Sequence, residues 1–353
     1  MQGQLIPIAQ AGPDLIAEWQ ALAARAVEPN PWFEPHVVVS LATMRDDICL
    51  LVARHESRLR ACVVLTSASK SWYGIRLPMW LTPHPMGTPL VDVEDGEEGL
   101  RCAFDFLSRS RGPRFLMLQE IDAEGRVAAM VTRALSRGWT CRTMRTESAW
   151  PILRRRPQPT YLESMRSKHR YNTGRLRRRL EQHLGSELRL VARSDDAGIE
   201  RFLDLEAGGW KGRRGTALAC DPVAADYFRR ACRGFAQEGR LYVHCLESGT
   251  TTVAMKVMVG AGDGLFDFRV AYDERFTPFS PGVLLEIEVV QHFHAGERAW
   301  ILSNTNHPGN PVRRIWPEQR AIVGVLAECP GVGRQVFNAV LRRGARSSFA
   351  FTP

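Results

Sequence analysis

The chain has 353 residues, enough for two domains of ordinary size. Apolar residues make up 44% and charged residues 24%, which excludes wholesale disorder, and no run approaches the roughly 20 apolar residues of a membrane span. The formal charge of +9 is local: between Arg154 and Arg189 eleven Arg/Lys and three Glu leave a net of +8.

The first residues lack a basic segment followed by an apolar one, so no secretory signal is predicted. Eight cysteines occur singly, with no C-x-x-C pair. That usage fits reduced thiols better than a disulfide framework or a zinc site, and the expected compartment is the cytoplasm.

In chain order, Asp14 to Ala26 reads as a helix with Leu15, Trp19, Leu22 and Ala23 on one face. Ile48 to Ala53 and Ala61 to Leu65 read as paired strands around a polar turn from His55 to Arg60. A short helix is predicted over Leu100 to Ser108, a buried strand over Arg114 to Gln119, and a helix from Ala123 to Arg137 ended by Gly138. Arg154-Arg155-Arg156-Pro157-Gln158-Pro159 has the composition of an interdomain connection, so the boundary is expected near 155. The expected division is 1–155, 156–330 and a C-terminal helix and tail over 331–353.

The second half gives stronger signals. Thr160 and Glu163 form a capping box, and Leu162, Met165, His169, Leu176, Leu180 and Leu184 recur at helical spacing up to Gly185. A strand over Glu187 to Arg193 precedes two helices, the second opened by Asp221 with Pro222 at its first position. Three strands follow, Arg240 to Leu246, Thr251 to Val259 and Leu265 to Tyr272, joined by short polar loops. Ser280-Pro281 opens a long helix through His294, and Ala299 to Ser303 is again a strand. No internal sequence repeat is apparent.

The order strand, two helices, three antiparallel strands, helix, strand is that of a GNAT acetyltransferase domain. Leu205-Glu206-Ala207-Gly208-Gly209-Trp210-Lys211-Gly212, Phe266 to Asp273 and Phe279-Ser280-Pro281-Gly282-Val283-Leu284-Leu285 resemble the CelD or BioF2-like branch of that superfamily. Ser164 to Arg170, Pro31-Trp32-Phe33 and His84 to Val91 resemble the same branch, so the likeness spans nearly the whole chain. A more distant resemblance is to the FemABX aminoacyl transferases. The resemblance implies an α/β (α+β mixed sheet) fold of two tandem GNAT-like domains, the second catalytic. It implies an acyl-CoA co-substrate, no metal, and a small-molecule amine as acceptor.

In such a domain the fourth and fifth strands part to admit the pantetheine arm, and the pyrophosphate sits on the following helix N-terminus, where free N–H groups bind anions. Ser280, Pro281, Gly282 and Val283 stand there, with Ser280 able to cap and Gly282 able to let a phosphate approach. One departure is clear. Where GNAT enzymes carry Q/R-x-x-G-x-G/A, this chain has Thr277-Pro278-Phe279-Ser280-Pro281-Gly282, with a single glycine. Lys168 and Arg170 on the basic helix are candidates for further phosphate contacts.

Acyl transfer to an amine needs orientation, proton removal and oxyanion stabilisation. Asp267, a carboxylate on an otherwise apolar strand, is either the general base or an ion-paired strand residue, with Arg269 a possible partner. Glu206 is a second candidate base or a solvated helix end. Tyr272 either donates a proton to the leaving thiolate or caps a strand end. Trp210 and Lys211 are candidates for the acceptor pocket, though a core tryptophan and a surface lysine are the commoner roles. Arg269 and His307 are further candidates for substrate contact, and relatives' acidic residue and lysine near His307 are replaced by Arg313 and Arg314.

Three alternatives remain open. A FemABX-like enzyme would take its acyl group from aminoacyl-tRNA, with the basic helix 160–184 holding phosphates. A thioester carrier protein is another possible donor. A nucleic-acid-binding protein would use the same helix, but its apolar stripe and lack of interleaved aromatics argue against this.

Overall fold

The computed structural model describes the chain except for residues 73–74, 137, 157–166, 304–311, 317 and 330–353. It forms two compact units, Met1–Ala149 with Arg320–Pro353, and Trp150–Gln319.

The first unit contains β1 (Gln2–Pro7), α1 (Pro13–Ala24), α2 (Pro35–Leu41), β2 (Ile48–His55), β3 (Arg58–Trp72), β4 (Ile75–Leu81), β5 (Leu90–Val91), α3 (Gly96–Arg109), β6 (Phe115–Asp122) and α4 (Arg126–Leu135). β7 (Thr140–Arg154) begins there and ends in the second unit. β2, β3 and β4 pair antiparallel in sequence, and β4 then pairs parallel with β6. Helix α3 forms because Leu100, Ala103, Phe104 and Leu107 fall on one face and are buried there.

The second unit contains α5 (Ser167–Leu184), β8 (Arg189–Ala192), α6 (Asp196–Gly208), α7 (Trp210–Arg213), α8 (Pro222–Gln237), β9 (Leu241–Ser248), β10 (Thr251–Ala261), β11 (Gly264–Tyr272), α9 (Pro281–Ala295), β12 (Trp300–Leu302) and α10 (Val312–Ile315). β13 (Glu318–Glu328) begins there, and its later residues pair antiparallel with β6 of the first unit's sheet. Asp195 and Asp221 cap α6 and α8, accepting from the N–H groups of Gly198 (2.8 Å) and Val223 (2.9 Å). Ala225, Phe228, Ala231, Cys232 and Phe235 line the buried stripe of α8. Each fully buried phenylalanine of this kind contributes about 2–3 kcal/mol.

β9, β10 and β11 are antiparallel neighbours and β12 is parallel to β11. Leaving aside the four-residue α7 and the two-residue β5, the two units share one order: strand, two helices, three antiparallel strands, helix, parallel strand. This is the tandem GNAT-like arrangement, although the two sequences show no repeat.

The division differs from the expected one at both ends. It falls inside β7, because Ile152, Leu153 and Arg154 pair with β12. The Arg-rich run is held within the second unit rather than forming a connection: Arg155 N–H donates to Ala299 O (2.8 Å) and its guanidinium to Gly296 O (2.7 Å). Residues 320–328 belong with the first unit, not with a second domain reaching 330. The tail 331–353, and the capping box at Thr160, lie outside the described residues. Among the described residues no helix is long and apolar enough to cross a membrane.

Candidate functional site

The pairing of β11 with β12 covers Gly264–Trp300, Leu265–Ile301 and Phe266–Leu302, and β11 then continues to Tyr272. The base of this junction is clamped by Trp300. Its ring lies so close to Gly264 that a Cβ there would meet it at 2.3 Å, and it meets Phe266 edge-on at 5.0 Å. β12 ends with Leu302 at its pair with Phe266, and β11 runs on for six residues beyond it. The register of β10 against β11 shifts between Val257 and Met258, so that Met258 faces Asp267 and Val257 faces Arg269. The bulge turns these two charged residues of β11 to opposite faces of the sheet.

On the α9 face, Asp267 meets the ammonium of Lys256 at 3.0 Å, and Lys256 also meets Glu286 of α9 at 2.7 Å. The Trp316 ring lies over the same ammonium, 5.0 Å from its centroid. Lys256 and Glu286 are buried, and Asp267 keeps partial access to solvent. Burial opposes charge on Lys256, but Asp267 and Glu286 offset it and hold the ammonium above its usual range. Burial pushes the Glu286 carboxyl up, with Lys256 acting against that rise. Asp267 is therefore ion-paired, with Lys256 and not with Arg269.

On the opposite face, the Glu206 carboxylate is buried at the end of α6. It accepts from Lys211 Nζ at 2.7 Å and the Leu218 N–H at 2.9 Å, and Arg269 approaches at 3.4 Å. Glu206 is thus not the solvated helix end allowed for above. Its negative charge gathers Lys211 and Arg269, so the structure uses both cations to hold the α6–α7 turn. Trp210 follows that turn and is exposed, with Arg214 over its ring at 5.2 Å. Its backbone N–H donates to Glu274 at 2.6 Å, and Arg213 pairs with the same carboxylate. This ties Trp210 to the segment just after Tyr272.

Helix α9 starts beside the end of β11. A Cβ on Gly282 would have the Tyr272 ring at 3.8 Å and nothing nearer, so the glycine faces open space next to Tyr272. Pro281 has no N–H, and the Val283 and Leu284 N–H groups both bond to Ser280 O at 3.0 and 3.2 Å. No acidic residue lies in the first turn. Ser280 does not cap through its side chain. Its backbone is left-handed, with φ 53° and ψ 59°. Counting along the loop, Ser280 stands where GNAT enzymes carry their first glycine, and it adopts the conformation that glycine takes without strain. A non-glycine residue thus holds a left-handed backbone at the entry to α9. Val283 packs at the edge of the core formed by Leu284, Leu285 and Val289.

Sequence reasoning missed Lys256, Glu286, Trp316 and Arg179. Arg179 of α5 sits over Phe279, 5.8 Å from the ring centroid, next to the start of α9. Arg177 pairs with Glu288 of α9 and accounts for one arginine of the basic run as a packing residue. Arg170, Arg175 and Arg178 are exposed. The Lys168 side chain and His307 lie outside the described residues.

The first unit has the matching wedge between β4 and β6, and its own chain fills it. Beyond the last pair, Leu81–Met117, the Thr82 N–H donates to Met117 O (3.3 Å) and the Gly87 N–H to Gln119 O (2.9 Å). Asn30 holds this segment by donating to Met86 O and Thr88 O at 3.0 and 2.8 Å, and Trp32 stacks on His84 at 4.7 Å. A side chain at Gly87 would strike Gln119 O at 2.4 Å. Helix α3 also begins with Asp95, Glu97 and Glu98, which repel an anion from its N-terminus. The motifs around Trp32 and His84 thus build a plug that fills this position in the first unit.

His244 of β9 lies opposite Lys256 in register and is buried, its ring edge-on to His292 at 5.0 Å. Burial first, then His292 and Lys256, lower its pKa from 6.5 to about 4. The unfolded chain takes up this proton near 6.5 and the folded one near 4, so the stabilisation is present above 6.5 and lost as pH falls. The expected loss is about 1.4 kcal/mol per pH unit within that window. His244→Phe should flatten the dependence of urea-unfolding free energy on pH by that amount, whereas an unchanged slope would exclude His244 as its source.

Residues 167–301 match the family model described as an acetyltransferase (GNAT) domain. The structure is similar to that of FemX, at 10% identity and a TM-score of 0.63, covering 96% of this chain and 99% of that one. It is similar to the C-terminal domain (DUF2156) of a putative lysylphosphatidylglycerol synthetase from Agrobacterium fabrum, at 12% identity, a TM-score of 0.56, and coverage of 94% and 96%. L-PGS from Bacillus licheniformis also resembles it, at 12% identity, a TM-score of 0.53, and coverage of 94% and 96%. No curated protein sequence matches the chain significantly.

Proposed function

We propose that this chain, whose residues 167–301 form a GNAT-type domain, transfers an acyl group from an acyl-CoA to the amine of a small molecule. The observation that carries this reading is the early end of β11–β12 pairing at Phe266, beside an acid-free helix N-terminus at Gly282. A pantetheine arm laid along β11 as an extra strand would bring its pyrophosphate to the start of α9. Arg179 stands nearby, and Lys168 and Arg170 are further candidates for the outer phosphate.

The acceptor amine attacks the thioester carbonyl, a C–N bond forms and the C–S bond breaks. Asp267, at the mouth of the wedge, takes the proton released by the amine. Tyr272, at the end of the same strand, is the candidate to protonate the departing thiolate. Trp210 is a candidate wall for the acceptor. Lys211 and Arg269 are engaged by Glu206, which supports a scaffolding role for all three.

Aminoacyl-tRNA is a second reading of the donor, favoured by one observation. Arg170, Arg175 and Arg178 expose more positive charge on α5 than a single 3′-phosphate requires. A carrier-protein thioester would use the same wedge.

Thiol release from acetyl-CoA in the presence of amino sugars and amino acids tests the leading reading. Gly282→Trp should weaken acetyl-CoA binding at least about tenfold, or about 1.4 kcal/mol, with an unchanged far-UV spectrum. Unchanged affinity would move the phosphate site away from α9.

A further inference from the structure

Two ionisable groups sealed behind Asp267 have no role in the transfer so far. Apolar residues of similar size would be as stable or more so in that position, because charges in a core lose hydration that their mutual attraction barely restores. The group is directional. The Lys256 ammonium bridges Asp267, whose side chain is 15% exposed, and Glu286, whose side chain is 5% exposed. Glu286 Oε2 receives Lys256 at 2.7 Å, and Trp316 also reaches the same carboxylate.

The charged and titratable groups facing Asp267 come from every strand and helix around it. β10 supplies Lys256, β9 supplies His244 opposite that lysine, and α9 supplies Glu286. Trp316 beyond α10 is uncharged, and Arg269 of β11 itself turns to Glu206 on the other face.

We infer that Lys256 and Glu286 are positioning residues for Asp267. The ammonium holds the Asp267 carboxylate at the mouth of the wedge. Glu286, competing for the same ammonium, sets the pH at which that carboxylate takes up a proton. A neighbouring cation favours the ionised carboxylate and a neighbouring anion opposes it. Removing either one must therefore move the titration in opposite directions. This rests on the proposed role of Asp267 as the base.

The test uses the full chain with Glu286→Gln, which keeps the shape and removes the competing charge, and Lys256→Met, which removes the cation. Acetyl transfer from acetyl-CoA to the best amine of the panel is followed against pH. The acid limb of kcat/KM should move down by about half to one pH unit in Glu286→Gln and up by a similar amount in Lys256→Met. Lys256→Arg should restore the parent profile. The carboxyl carbon resonance that disappears in Asp267→Asn should shift its titration midpoint in the same two directions, independently of turnover. Midpoints that stay put, or move together, overturn the inference. If Lys256→Met does not fold, the direction of shift in Glu286→Gln decides alone. Midpoints that move while the rate profile does not uphold the coupling and remove Asp267 as the base.

Discussion

Asp267→Asn should lower turnover at least about tenfold, the low end of what a general base contributes, while the protein stays folded. Folding should survive because Lys256 keeps Glu286 as a counter-charge at 2.7 Å, so no isolated ammonium is left in the core. The amide cannot accept the amine proton, and substrate binding through α9 is untouched. The expected signature is a fall in kcat with little change in the KM for acetyl-CoA. Parent-like turnover in a folded Asp267→Asn variant would take this carboxylate out of the mechanism.

Glu206→Ala should act on stability. Its carboxylate is the shared acceptor for Lys211, Arg269 and the Leu218 N–H, and it is itself buried. Truncation strands that N–H and leaves two cations side by side. The expected loss is about 3 kcal/mol, at the low end for a broken buried pair because Lys211 and Arg269 both keep access to water. Urea unfolding measures it, and acetyl-CoA affinity of the folded variant should change by less than about twofold, or about 0.4 kcal/mol. A stable variant with abolished turnover would make Glu206 the base instead. The two substitutions thus separate the carboxylate that touches the reaction from the one that holds the turn.

Much of the second unit was legible in the sequence because its signals are local. The three strands from Leu241 to Tyr272 are apolar runs cut by Gly and polar turns, and Asp221-Pro222 and Ser280-Pro281 mark helix starts within a few residues. The missed elements depend on partners far along the chain. β13 reads as an apolar run, yet nothing local says that it pairs with β6. β1 is a six-residue strand that is defined by its pairing with β2. The tandem arrangement followed from the family resemblance and not from an internal repeat, because the units share an order of elements while their residues differ: residues 82–87, for instance, plug the first unit alongside β6.

The site was half legible for a similar reason. Asp267 stood out as a charge in an apolar strand, and the same test applied to β10 and α9 would have found Lys256 and Glu286. That the three converge is a matter of register, which a sequence does not display. The left-handed backbone of Ser280 was likewise hidden. Serine does not announce that conformation as glycine does.

Calorimetric titration of the purified protein with acetyl-CoA, beside free CoA, tests the central claim most directly. The early end of β11–β12 pairing and the start of α9 predict saturable one-to-one binding of both ligands, lost in Gly282→Trp. Absence of binding to either would contradict a CoA site in the second unit and turn the donor question to aminoacyl-tRNA or a carrier-protein thioester.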